Sequence, residues 1–345
     1  MQPLLSVVMP CHNRAHDLGQ VLQGYLNQIQ PPAFELLAID DASTDGTLTV
    51  LERFRQAGLP LRVFSQPQNT GPAAIRNLGM AQAQGQILVF VGDDVRPAPD
   101  FLRRHWQAHQ VYAGPEQAVL GRLVWAAALP QNQVMRHNDG VGMQQFSYKY
   151  LQPYQMYDYR HFYTANISIK RNWVMQTGQT FDQSFYLASF EDAEFAYRLS
   201  LLGLQIWYIP TLVAEHYHYH NVWSFCRRQV AAGKMLKIFQ AKHPGVFERN
   251  LPKNVLDTLA LGQSQAADAP HWHWQQAPQS WLAWAMQLGG SLEWSEHPLA
   301  DQLYAALFLH QFLAGAICNQ PPYSRFWNFY TEKSFKDLFG LFNST

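Results

Sequence analysis

The pattern along the chain changes character most sharply at Ile87-Leu-Val-Phe-Val91, an unbroken apolar run rich in β-formers. Such a run predicts a strand buried on both faces of a parallel sheet. Shorter apolar stretches at residues 4–9, 34–39 and 61–64 repeat the signal upstream. Between them, apolar positions fall at helical spacing. Leu18, Val21, Leu22, Tyr25, Leu26 and Ile29 define one helix, stopped by Pro31-Pro32. Residues 48–56 define a second, ended by Gly58, and residues 73–83 a third. Pro10 is expected to break the first strand. Strand–helix alternation at about 30-residue spacing implies a doubly wound, parallel α/β sheet.

Downstream the pattern loosens. A helix over 101–112 and a strand over 117–124 follow, but from 126 to 161 turn residues such as Asn138-Asp-Gly140 and Pro153 predict loops. Tyr148, Tyr150, Tyr154, Tyr157 and Tyr159 are scattered through them, and either stack on sugar rings or form a small satellite core. Residues 163–169 alternate as a strand. Glu191-Asp192 open a helix with Phe195, Leu199 and Leu202 on its apolar face. A strand over 205–209 and a further stretch, 211–214, lead into Glu215-His-Tyr-His-Tyr-His220. If extended, that segment sets His216, His218 and His220 on one face. A helix over 221–240 comes next. Residues 241–345 read as a helical appendage, with helices near 281–288 and 299–317 and an aromatic tail at 326–342. That tail either meets a membrane surface or docks as a plain helix.

Composition narrows the classes. The 345 residues divide as a domain over 1–240 (halves 1–115 and 116–240) and the appendage over 241–345. The formal net charge is zero, so no electrostatic footprint argues for nucleic acid. Three widely spaced cysteines, Cys11, Cys226 and Cys318, suggest a reducing compartment without a disulfide framework. The first residues lack a basic signal region, and no apolar run reaches the roughly 18 residues of a spanning helix.

The candidate chemistry sits at strand ends. The buried run over 87–91 delivers Asp93-Asp94 to the carboxyl edge of the sheet, where ligands of open α/β sheets bind. Two adjacent acids there call for a cation, and a divalent ion holding a diphosphate answers that need. The alternative is an Asp-rich turn that caps the next helix. Neither a G-x-G-x-x-G nor a phosphate-binding glycine loop is present. Instead Asp40-Asp41 end the second strand, and Arg76 lies one turn into the third helix. Acids accept from base or ribose, and arginine neutralises phosphate. Glu191 and Asp192 are either dipole partners of their helix or an acid pair in which one takes a proton. Three same-face histidines could form a separate zinc site, although the neighbouring carboxylates suit Mn²⁺ or Mg²⁺ better.

Four segments then stand in order: Val7-Val-Met-Pro-Cys-His-Asn-Arg14, Ile39-Asp-Asp-Ala-Ser-Thr-Asp-Gly46, Asn69-Thr-Gly-Pro-Ala-Ala-Ile-Arg-Asn77 and Phe90-Val-Gly-Asp-Asp94. Together they resemble the donor half of a family 2 inverting glycosyltransferase of GT-A fold, and the resemblance covers residues 4–240. It implies a mixed, mostly parallel sheet and transfer from a nucleotide-diphosphate sugar, UDP-linked by first choice. The acceptor hydroxyl would belong to a glycan, glycolipid or protein glycan. Pro10, His12, Arg14, Asp40, Asp41, Asn69, Arg76 and Asp93 would form the donor side. Asp94 and His216 would hold Mn²⁺ or Mg²⁺, with His218 the nearest competitor. Asp192 would be the base, and Glu191 and Asn166 would meet the acceptor. Gly92 stands where many relatives carry an acid. The implied location is cytoplasmic, with peripheral contact at the inner membrane face as an added option.

Overall fold

The computed structural model describes residues 2–140, 145–246, 287–294 and 300–317. Two compact units emerge, one of residues 1–130 with 150–218, the other of 131–149 with 219–345. The sequence-drawn boundary at 240 differs from this division, which groups 131–149 and 219–242 with the second unit.

The first unit is built on β1 (Leu5–Cys11), β2 (Phe34–Asp40), β3 (Leu61–Ser65) and β4 (Ile87–Val91), alternating with α1 (Leu18–Leu26), α2 (Thr47–Gln56) and α3 (Pro72–Gln82). These four strands run parallel in the order β3-β2-β1-β4. All five residues of β4 are buried, as expected of a strand covered on both faces. Pro10 does not end β1; it stays in register opposite Ile39, and the strand continues to Cys11. Ile29 lies beyond α1 and is 55% exposed, because Asn27 already caps the helix.

After the short β5 (Val95–Pro97) come α4 (Phe101–Val111), β6 (Gln117–Trp125), β7 (Met156–Tyr157), β8 (Asn166–Lys170), α6 (Arg171–Thr177), α7 (Glu191–Ser200) and β9 (Gln205–His216). The sheet continues β4-β8-β6-β9-β5, with β8 antiparallel to both its neighbours and β6 parallel to β9. The mixed α/β sheet agrees with the expectation. Residues 205–216, read as two stretches, form one strand, interrupted opposite Gly121. α7 is anchored by Phe195, whose ring stacks on Phe181 at 4.2 Å, while Phe181 meets Phe90 of β4 edge-on at 5.6 Å. Leu202 is not on its buried face; it follows the helix end and is 50% exposed.

The second unit contains α5 (Gln133–Gly140), α8 (Val222–Lys242) and a last helix, α9 (Ala300–Ile317). Val134, Val222, Phe225, Cys226, Tyr304 and Phe308 share one core there. α5 occupies a stretch expected to be loop, because Asn132 caps it by accepting from Met135 N at 3.0 Å. The expected tail at 326–342 and most of the helix near 281–288 lie outside the described residues. Among the described residues, no helix is long and apolar enough to cross a membrane.

Candidate active site

β5 is the small element that assembles the site. It starts one residue after Asp94 and runs antiparallel to the end of β9, so that Val95 faces His216. Tyr217 N then donates to Asp94 O at 2.7 Å. Asp94 is thereby placed between His216 and His218. Its Oδ2 lies 2.9 Å from His218 Nδ1 and 3.5 Å from His216 Nε2. These three residues offer ligand atoms all within 4.8 Å of one another. The His216 ring is held flat against Trp125, at 5.2 Å and 11°.

His220 does not join them. The strand ends at His216, so extended alternation no longer governs the residues beyond it, and of these it is His218 that meets Asp94. His220 belongs to the second unit, where its ring packs edge-on against Phe225.

Arg14 enters the cluster from β1's side. Its Nε donates to Asp93 Oδ1 at 3.2 Å, and its Nη2 to Asp94 Oδ2 at 2.7 Å, with His218 Nδ1 3.0 Å away. His12 N donates to the other oxygen of Asp93 at 3.1 Å. The two acids differ accordingly. Burial and the charge of Asp94 push Asp93 up to about 7, against the pull of Arg14. Burial also opposes ionisation of Asp94, but His216, His218 and Arg14 outweigh it and hold its carboxyl well below the ordinary range. Asp94 is the ionised member of the pair.

Gly92 is closely confined by this geometry. A Cβ there would lie 2.6 Å from Asp94 Oδ1 and 3.2 Å from Val95 Cγ2. Any side chain displaces the Asp94 carboxylate. Gly92→Ala is therefore expected to weaken Mn²⁺ binding by about tenfold or more while leaving the fold intact, titrated by the paramagnetic signal of free Mn²⁺. Unchanged affinity would show that Asp94 tolerates the methyl.

The other residues expected on the donor side separate into two groups. His12 and Asn69 are exposed and adjacent, Asn69 Nδ2 lying 3.4 Å from His12 Nδ1, and Pro10, two residues before His12, is half-buried. Asp40 is buried; its Oδ2 accepts from Ser43 N at 3.3 Å, while Oδ1 has no hydrogen-bond partner. Asp41, also expected at base or ribose, is turned to the loop before α3. It accepts from Thr70 N at 2.7 Å, Thr70 Oγ1 at 3.1 Å and Gly71 N at 2.9 Å. Both its oxygens are occupied by that loop.

Arg76 and Glu191 also depart from expectation. Arg76 Nη1 donates to Glu191 Oε1 at 2.7 Å, and both side chains are buried. Successive residues of a helix project about 100° apart, so with Glu191 turned inward Asp192 turns away from it and is half-buried. Glu191 thus pins the start of α7 to α3 and leaves no open face toward an acceptor. Asn166, the other expected acceptor residue, is fully buried with its amide bonded to Leu212 O and Arg122 O. Its side chain is wholly interior.

The Glu191 carboxyl is pushed up to about 7 by burial and by the charge of Asp192, against the pull of Arg76. A raised value in the folded state means its contribution to stability is complete below the ordinary 4.5 and lost as pH rises through 7. Urea unfolding of the native chain should therefore show on the order of 3 kcal/mol more loss between pH 5 and 8 than Glu191→Gln shows. Parallel pH profiles for the two proteins would contradict the shift.

Comparison with known proteins agrees with this architecture. The sequence profile of Glycosyl transferase family 2 matches residues 6–178, half of the chain. An uncharacterized glycosyltransferase of Bacillus subtilis, YfnE, is 27% identical over 61% of this chain and 64% of its own. Among solved structures, TarS 1–349 of S. aureus in complex with UDP superposes with a TM-score of 0.51 at 18% identity, covering 90% of each chain. The mannosyltransferase PcManGT from Pyrobaculum calidifontis, in complex with GDP-Man and Mn²⁺, gives 0.59 at 18% identity, covering 93% and 89%. The chain belongs to glycosyl transferase family 2, and its fold is of the GT-A type. The aligned part spans 14 to 64% of the length of the curated relatives it matches.

Sequence reasoning left two members of the site underrated. His218 stood only as a competitor to His216, yet it makes the shorter contact with Asp94. Arg14 was placed on the donor without its tie to both acids. The alternation His216-x-His218 was the signal for the first; nothing local signals the second, which depends on β1 and β4 being neighbours.

Proposed function

We propose that this chain is an inverting glycosyltransferase, transferring a sugar from a nucleotide diphosphate, UDP by first choice, to a hydroxyl of a glycan, glycolipid or protein-glycan acceptor. The observation that carries the reading is the cluster of Asp94, His216 and His218 at the carboxyl edge of β4, with Arg14 beside it. Its donor set of one carboxylate and two imidazoles suits Mn²⁺ better than all-oxygen Mg²⁺. When bound there, a divalent ion supplies charge that stabilises the leaving diphosphate.

The chain's own residues account for the rest. Arg14 shares Asp94 Oδ2 and His218 Nδ1 with the cation site, so guanidinium and cation compete for them, and a displaced Arg14 is available to phosphate. Asp40 keeps a buried oxygen that lacks a donor, fitted to a base N–H or ribose hydroxyl. His12 and Asn69 offer an exposed edge for the same ligand. Asp192, half-buried at the first turn of α7, takes the acceptor proton. Asp41 and Glu191 support this from behind. Asp41 holds the loop leading into α3, and α3 carries the Arg76 that fixes Glu191, the neighbour of Asp192. The same reading keeps the protein cytoplasmic, with the inner membrane face as a possible contact for the region over 241–345.

The test is donor turnover. Incubated with a panel of nucleotide-diphosphate sugars and Mn²⁺, the protein should release free nucleoside diphosphate slowly from one of them, and chelation should stop it. Release of pyrophosphate from a nucleoside triphosphate instead would assign nucleotidyl transfer.

A further inference from the structure

β8 presents Asn166, Ser168 and Lys170 to one side, as alternation requires, and α4 lays His105 and His109 over them, one helical turn apart. Five side chains connect end to end. Lys170 Nζ lies 3.2 Å from His109 Nδ1, and His109 Nε2 is 2.9 Å from Ser168 Oγ. Ser168 Oγ is 2.8 Å from His105 Nδ1, and His105 Nε2 is 3.1 Å from Asn166 Oδ1. Asn166 Nδ2 reaches Leu212 O at 2.9 Å and Arg122 O at 3.2 Å.

Both ends fix the direction of the chain independently. Two carbonyls can only accept, so the Asn166 nitrogen faces them and its oxygen faces His105. His105 must then carry its proton on Nε2, which leaves Nδ1 to accept from the Ser168 hydroxyl. That oxygen in turn accepts from His109 Nε2–H, so His109 Nδ1 is an acceptor. It faces Lys170, an ammonium with donors only. The two derivations meet without conflict. Neither histidine can take a second proton without breaking the chain. Burial accordingly pushes His105 down to about 4 and holds His109 well below its ordinary value. Ser168, fully buried with its hydroxyl proton committed to His105, is no nucleophile.

The carbonyls at the far end belong to an irregularity. Leu120 of β6 pairs with Tyr208 of β9, but Arg122 pairs with Val213, so Gly121 faces residues 209–212. A Cβ on Gly121 would collide with the Asn166 amide and lie 2.5 Å from Leu212 O. The amide therefore fills the space beside Gly121 and bonds a carbonyl of the bulge itself. Beyond it, pairing resumes and runs to Trp125 opposite His216. A slip by one residue in that bulge would turn His216 to the other face of the sheet.

We propose that the chain from Lys170 to Asn166 is the positioning device that fixes the length of the β9 bulge and thereby aims His216 at Asp94. Its functional consequence rests on the metal reading given above, whereas the hydrogen-bond direction and the bulge do not. The test uses full-length protein labelled with ¹⁵N. Both His105 and His109 should show the Nε2–H tautomer from pH 8 to 5; an Nδ1–H form of either overturns the chain. In Ser168→Ala, amide exchange at Val213–His216 should accelerate by about tenfold and Mn²⁺ affinity should fall several-fold. His109→Gln, which still accepts from Lys170 and donates to Ser168, should keep both near the native values, and His109→Leu should lose them. Native exchange and native Mn²⁺ affinity in both Ser168→Ala and His109→Leu would overturn the proposal. Accelerated exchange in a protein that binds no Mn²⁺ would support the device and remove the metal reading instead.

Discussion

Asp192→Asn is expected to slow sugar transfer on the order of a hundredfold or more and to leave nucleotide binding at native strength. The substitution keeps size and shape and removes only the proton acceptor. Asp192 stands in the first turn of a helix that is held by Phe195 stacked on Phe181 and by the buried Arg76–Glu191 pair. A base on such a mount keeps its aim without the help of its own side chain. Glu191 is the internal control. Because its carboxyl is engaged by Arg76, Glu191→Gln should cost far less rate than Asp192→Asn. Initial rates at saturating donor, with calorimetric binding of the nucleotide, separate the two. A native transfer rate in Asp192→Asn, or loss of donor binding, excludes this residue as the base.

Asp94→Asn should abolish metal-dependent binding of the nucleotide while the protein stays folded. One carboxylate oxygen is shared by His216, His218 and Arg14, so its charge holds all three in place. Replacing it with a neutral amide removes the acid of the cluster and leaves Asp93 as the carboxylate partner of Arg14. Loss of a metal ligand with its charge commonly exceeds the 10- to 100-fold cost of disturbing an outer-shell partner, so a loss of at least about a hundredfold is expected. His218→Ala should weaken Mn²⁺ at least as much as His216→Ala, since His218 makes the shorter contact. Equal affinity of native and Asp94→Asn protein for Mn²⁺ would move the cation elsewhere.

Much of the donor half was legible because its signals are local. The apolar run over 87–91, the acids at strand ends and the proline-led start of α3 each announce themselves within a few residues. The histidine pair was legible as alternation, but where it stops was not, because the end of β9 is set by pairing with β5 and β6 rather than by its own sequence. Four of the expected site residues share a feature. Arg76, Glu191, Asp41 and Asn166 are polar residues in motif-like surroundings, and each is consumed by a partner distant in sequence. Burial and partner choice are tertiary facts, so a sequence shows which side chains have chemistry and not which have already spent it. α5 was missed for a simpler reason: Asn138-Asp-Gly140 carries turn composition although Asn132 caps a helix through it.

Binding of a nucleotide-diphosphate sugar at the Asp94 cluster through a divalent cation is read out by thermal unfolding against a panel of nucleotide sugars, each with Mn²⁺ and with a chelator. A ligand present at about a hundred times its Kd stabilises the native state by roughly 2.7 kcal/mol, which raises the midpoint by several degrees. Such a rise is expected for at least one nucleotide sugar with Mn²⁺, with its loss on chelation and its absence in Asp94→Asn. A rise of equal size without the metal, or in Asp94→Asn, would contradict it.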